Sequence, residues 1–249
     1  MTVQPVQPGS DTAPMGLLSR FVGIVMSPRE TFARVAAHPA WFGMLAVVIV
    51  VTACLAVWFQ STEVGRQATM DQSVKWMESF GMKLSDRTYD AMQKSIMETP
   101  VWRTVLQTGA SIVVFTPVFY LVIAGILFGV FTAALGGGAT FKQVFTTIVH
   151  AGVISTIGQL FTYPIFYLRE SMASATNLGV LFPMLAENSF PAKLLGMIDL
   201  FTVWWVVLLA IGLAVLYRRK TRPIALSFFA IYGVIAVAIA AFQAMRSGS

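Results

Sequence analysis

Charge is what this sequence has least of. Only 11% of its 249 residues are Asp, Glu, Lys or Arg, where a soluble domain carries about 25%. A water-soluble fold this poor in charge could not cover its own surface. Lipid removes that difficulty, because the outside of the protein is then free to be apolar. Cysteine is nearly absent as well. Cys54 is the single one and lies in an apolar stretch, so neither an intrachain disulfide nor a cysteine-based metal or redox motif is possible. Histidine is limited to His38 and His150. H-E-x-x-H, G-x-S-x-G, P-loop and dinucleotide fingerprints are all missing. Residues 1–14 are polar and rich in Pro, Gln and Thr. They lack the basic start and apolar core of a signal peptide and are expected to form a disordered cytoplasmic tail. The first apolar span then acts as an uncleaved insertion signal.

What is abundant is apolar sequence: 57% hydrophobic residues and a mean hydropathy of +0.74. A helix needs about 20 mostly apolar residues to cross the ~30 Å hydrocarbon layer. Five segments qualify, at about 41–59, 110–135, 144–167, 197–217 and 224–245. Unbroken apolar runs exclude a β-barrel, whose strands alternate apolar and polar residues. The expected fold is all-α: an integral membrane bundle of five transmembrane helices over residues 15–245, with interfacial amphipathic helices and an outer helical hairpin at 61–103.

Net charge is +6. The longest basic run, Arg218 to Arg222, is five residues between two apolar spans and has no room for a nucleic-acid module, so no nucleic-acid partner is expected. That turn has four basic residues and no acid, whereas the six basic residues of the 60–103 loop stand beside six acids. Short loops dominate the positive-inside rule. The N-terminus is therefore expected in the cytoplasm and the C-terminus outside.

Local signals fill in the segments between spans. Leu18, Phe21, Val22 and Val25 recur at helical spacing. Ser27-Pro28-Arg29-Glu30 predicts a helix start with Ser27 as cap and Glu30 reaching back to its N–H. Together these suggest two short helices that either lie at the cytoplasmic interface or form a connector packed on the bundle. In the 61–103 loop, Met70, Val74 and Met77 share a face, with Asp71 and Lys75 as an i,i+4 pair. Gly81 is a stop, Ser85 a cap, and Pro100 ends the second helix. Gly136-Gly137-Gly138 predicts a tight turn, and Thr140 with Gln143 a capping box for the third span.

No residue carries a catalytic signature, and no cofactor, metal or small-molecule substrate is evident. His150 and Ser155 lie on one span, about 140° apart around the helix. Asp199 is the acid at the edge of a span. Intramembrane acids suggest ion or proton coupling, but in the first helical turn Asp199 is better read as a cap. Ser155, Gln159 and Thr162 make a polar face on the third span, which either borders a polar pathway or hydrogen-bonds to neighbouring helices. Gly125 and Gly129 form G-x-x-x-G, extended by Ala133. Small residues at that spacing let helices approach closely, and packing inside the bundle is expected ahead of a dimer contact. The expected partner is the lipid bilayer, and beyond it another membrane protein or a second copy.

Several pieces in order carry a resemblance. Ser27-Pro28 with Phe32 precedes Pro39 and Trp41 at the first span. Gly136 to Gln143 (GGGATFKQ) joins the second and third spans. Ile198 to Trp204 (IDLFTVW) enters the fourth, followed by Gly212 and a short basic turn. Over about residues 17–242 this order resembles the Yip1 domain family, especially its bacterial branch. The resemblance implies five spans with a cytoplasmic N-terminus. Eukaryotic relatives act in vesicle traffic and bind membrane-anchored Rab-type GTPases and partners of similar shape. It implies a fold and a membrane role and names no reaction. The functional expectation is a non-enzymatic multi-pass protein that scaffolds partners or shapes the membrane. The alternative is a small transporter or channel that uses the polar face of the third span and Asp199.

Overall fold

The computed structural model describes residues 15–247; the tail expected at 1–14 lies outside the described residues. Among the described residues the chain is helical throughout, with no strand and one isolated antiparallel bridge, Asn177 to Asp199. Four helices are long and apolar enough to cross a membrane: α3 (Phe42–Gln60), α6 (Val101–Phe128, continuing through a π-helical turn to Ala134), the pair α7–α8 (Phe141–Ala151 and Val153–Leu168), and α11, apolar over Thr221–Arg246. The fourth expected span is shorter than predicted. α10 is Leu200–Leu216, and the residues before it form a separate helix, α9 (Phe190–Met197). The break falls at Ile198 and Asp199, whose backbones are extended. There the linker crosses back, Leu178 N donating to Ile198 O and Leu200 N to Thr176 O. α6 also begins nine residues before its expected start, because Pro100 caps the helix and fits its extended backbone.

α7–α8 and α10 are the centre of the bundle. Val144, Ile148, Val149, Ala151, Val153 and Ile154 are fully buried, as are Ala210 and Leu213. Close packing is set by glycines that nothing in the local sequence marks. A Cβ on Gly212 would stand 2.5 Å from Thr147 Cγ2 and 3.0 Å from Phe32 Cε1. One on Gly158 would meet the Phe201 ring at 2.7 Å, and one on Gly152 would collide with the Tyr120 hydroxyl.

The two N-terminal helices, α1 (Leu17–Met26) and α2 (Pro28–Ala37), differ from expectation. Ser27 precedes Pro28, but its side chain makes no capping bond. Its N–H donates to Gly23 O at 2.8 Å and so closes α1. That N–H is therefore unavailable to Glu30, and no capping box forms. Thr31 ties the corner by donating from Oγ1 to Ser27 O at 3.0 Å. α2 is no free surface helix: Thr31, Phe32 and Val35 are buried. The apolar face read on α1 is split. Phe21 and Val25 turn partly inward beside buried Ile24, whereas Leu18 and Val22 are exposed.

Contacts divide the loops between two ends of the bundle. At one end, Gln143 Nε2 donates to Ala36 O at 3.0 Å, Tyr217 and Thr132 share a hydroxyl bond of 2.8 Å, and Arg219 donates to Leu135 O at 3.2 Å. This basic end holds α1, α2 and both short turns. Gly136 there takes φ +68, and Thr140 and Gln143 form the capping box. At the other end is the hairpin of α4 (Glu63–Ser79) and α5 (Asp86–Met97), capped by Thr62 and Ser85. Gly81 at φ +73 terminates α4, with Met82 N donating to Met77 O. Arg66 fastens the hairpin by donating to Met97 O and Thr99 O, each at 3.1 Å. Asp71 takes its bond from Gln67 Nε2 (2.9 Å), on the turn opposite the expected partner Lys75. Phe80 packs on Phe242 of α11 with ring centres 6.0 Å apart.

Candidate functional site

The polar face of α8 is where uncharged hydrogen-bonding groups gather inside the apolar bundle. Ser155, Gln159 and Thr162 follow one another at i, i+4 and i+7 and so share one side of the helix. A cavity of about 780 Å³ lies against this side. Its floor is Ser155, Thr156 and Gln159 of α8 with Thr202 and Trp205 of α10, and α3 adds Val48 and Thr52. Its remaining wall is α6, from Phe115 to Val122. A smaller chamber of about 250 Å³ shares Ser155, Gln159 and Thr202 with the first and extends to Thr162, Ser174, Thr176 and Asp199. The fold thus brings together four of the sequence-predicted polar residues: Ser155, Gln159, Thr162 and Asp199.

Asp199 is fully engaged. Its Oδ1 accepts from Phe201 N (2.9 Å) and Thr202 N (3.1 Å), so it caps α10. Its Oδ2 accepts from Ser174 Oγ (3.3 Å) and from Thr176 Oγ1. Four donors satisfy the carboxylate and tie the linker to the start of α10. This explains why an acid is tolerated at the edge of an apolar helix, where an unpaired charge is costly.

His150 stands apart from this group. It is completely buried, and its Nδ1 lies 2.8 Å from Thr146 O. A carbonyl only accepts, so Nδ1 carries the proton and Nε2 offers a lone pair, which has no partner. No bond joins it to Ser155, which faces the cavity, and His38 is exposed at the end of α2. Among the described residues, no three His, Cys, Asp or Glu side chains come together.

Two cavity groups are unsatisfied. Thr156 Oγ1 and Gln159 Oε1 are buried and make no hydrogen bond. Thr156 differs from its neighbours in this. Thr146 and Thr147 each donate to the carbonyl four residues back, Lys142 O at 2.6 Å and Gln143 O at 2.9 Å. For Thr156 that carbonyl belongs to Gly152, which already accepts from Ser155 N and Thr156 N. The sequence pattern picks out Ser155 and Gln159 but misses Thr156, Thr202 and Thr52. Single threonines in apolar runs give no sign of which way they face.

The packing expected at Gly125, Gly129 and Ala133 does not form among the described residues. A Cβ at either glycine would meet nothing within 4 Å, and Gly125 and Ala133 are exposed. In lipid, apolar residues surround a span on every side, so a small-residue stripe does not reveal whether it faces protein or lipid.

Comparison with known proteins adds the family. The Yip1 domain model matches residues 22–242. Membrane protein YknW of Bacillus subtilis (strain 168) is 23% identical over 196 residues, covering 77% of this chain and 75% of that protein. No solved structure matches. The family match runs from the middle of α1 to within the last two turns of α11 and takes in every residue that lines the cavity. On that match the chain belongs to the Yip1 domain family of integral membrane proteins.

Proposed function

We propose that this protein is a non-enzymatic, five-span scaffold of the bacterial cytoplasmic membrane, which holds a second membrane protein, or a second copy of itself, in the plane of the bilayer. The observation that carries this reading is the Gly125–Gly129–Ala133 stripe. It has the spacing that lets helices meet closely, and among the described residues nothing stands within 4 Å of a Cβ built at either glycine. α10 supplies the fifth span. Its 17 residues reach about 25 Å at ~1.5 Å per residue, the short limit for a crossing, and seven of them are buried in the bundle. Five crossings agree with the two ends of the bundle, since α1 and α2 gather at one and the end of α11 at the other. The basic turn Arg218–Arg222 favours the cytoplasm for the first end. Exposed Leu18, Val22 and Met26 on α1, next to Arg20 and Arg29, suit the headgroup boundary there.

The cavity supports a second reading, a small transporter or channel. Asp199 gives it little help, because both carboxylate oxygens are occupied. A single cysteine at Gly125, in a Cys54→Ser background, tests the first reading. Oxidation in native membranes is expected to give a disulfide-linked dimer or an adduct with a second membrane protein, and Gly129→Ile is expected to abolish it. If no adduct forms and reconstituted liposomes instead show ion or solute flux, the scaffold reading is wrong and the second takes its place.

A further inference from the structure

We infer that the cavity between α6 and the α8–α10 floor binds an uncharged lipid that carries a free hydroxyl, of the diacylglycerol class. The inference depends on the membrane placement of the bundle and is independent of whether α6 also holds a partner.

The floor sets the polar chemistry. Thr156 is 1% exposed and its hydroxyl has no partner; Gln159 Oε1 is buried and has none either. Buried polar groups in native proteins nearly always find partners. An amide oxygen only accepts, whereas a threonine hydroxyl can also donate. One ligand hydroxyl answers both once the two side chains turn toward the chamber: it donates to Gln159 Oε1 and accepts from Thr156 Oγ1.

The walls set the rest. No charged residue lines the larger chamber. A phosphate or ammonium group there would be desolvated without a counter-charge, which is strongly unfavourable. Asp199, in the adjoining chamber, has all its bonds made and offers no free carboxylate. The α6 wall is open to the side: Phe115, Phe119 and Val122 line the cavity and are each more than half exposed, at 69%, 57% and 55%. They lie within an apolar, membrane-crossing helix. The mouth therefore opens onto acyl chains, and what enters comes from the lipid. The volume of about 780 Å³ falls in the range of roughly 300–1,000 Å³ typical of small-molecule sites.

Native mass spectrometry of the detergent-solubilised full-length protein tests this with three probes: dioctanoylglycerol, its 3-O-methyl ether, and dioctanoyl phosphatidylglycerol. Dioctanoylglycerol is expected to form a one-to-one adduct. The ether, which cannot donate, should bind about tenfold more weakly, the size of one lost hydrogen bond. Phosphatidylglycerol should bind no better than the ether. Gln159→Leu should bring the alcohol and the ether to equal affinity, because the acceptor that only the alcohol can use is gone. Thr156→Val, which keeps the side-chain shape, should weaken the alcohol without lowering the melting temperature. Equal binding of alcohol and ether by the unmodified protein overturns the proposal. So does preferred binding of phosphatidylglycerol, unchanged alcohol affinity in both variants, or no dioctanoylglycerol adduct at all. In the last case, dimer formation by a cysteine at Phe119 would assign the cavity to a partner helix.

Discussion

Gly212 of α10 faces the ring of Phe32 on α2 so closely that a Cβ at position 212 would lie 3.0 Å from Phe32 Cε1. Thr147 of α7 closes the other side, with its Cγ2 at 2.5 Å. Three helices meet at a point where one of them has no side chain. Gly212→Val is expected to lower stability by about 1–3 kcal/mol, the usual range for overpacking a filled core. Gly125→Ile, where nothing stands within 4 Å, should leave the melting temperature in detergent unchanged. Thermal unfolding of the two variants side by side decides it, and equal losses would show that α6 is packed after all.

At Asp199 the two oxygens have different partners, and substitution separates them. Asp199→Asn keeps an acceptor for the N–H groups of Phe201 and Thr202, since Asn caps nearly as well as Asp. It is expected to cost little. Asp199→Leu removes the cap and also strands Ser174 and Thr176, so its loss should exceed the roughly 1 kcal/mol typical of a cap alone. Melting curves in detergent measure both. A loss of function in Asp199→Asn at full stability would point to ion coupling instead.

Gln143 does two jobs with one amide. Its Oε1 accepts from Thr140 N (2.9 Å), and its Nε2 donates to Ala36 O (3.0 Å), which joins the start of α7 to the end of α2. Gln143→Glu keeps the first and loses the second; Gln143→Leu loses both. The expected order of stability is wild type, then Glu, then Leu, with Leu lower by about 1–2 kcal/mol from the cap and the lost bond together. If Glu and Leu melt together, the capping half contributes nothing.

Orientation is open to chemical labelling. Lys75 on the hairpin and Lys220 in the basic turn are both exposed and belong to opposite ends of the bundle. With Cys54 replaced by serine, Lys75→Cys is expected to react with an impermeant maleimide on intact cells, and Lys220→Cys only after lysis. The reverse pattern would invert the orientation.

Much of the fold was legible because membrane helices announce themselves by length and apolar content. Caps and stops such as Ser85, Gly81 and the Thr140–Gln143 box are local chemistry and can be read residue by residue. The miss at Ser27 is equally local: its N–H was already needed to close α1. What the sequence does not reveal is direction. In water, the buried face of a helix is its apolar face; in lipid, both faces are apolar. Gly125 and Gly129 therefore looked like contacts, whereas among the described residues the close approach is at Gly212. The same ambiguity hides Thr156 and Thr202 among apolar neighbours, although Ser155 and Gln159 gave the cavity's polar side away.

The contact between Phe80 and Phe242 has a bearing on how the protein is made. α4 is synthesised before α11, with six helices between them. Until α11 has left the ribosome and inserted, the hairpin lacks the ring it rests on, and Gln243 cannot donate to Ser79. Assembly at that end therefore waits for the synthesis and insertion of α11. A nascent chain stalled before α11 would carry a hairpin held only at Arg66 and along its neighbouring helices, open to proteases that the finished protein resists.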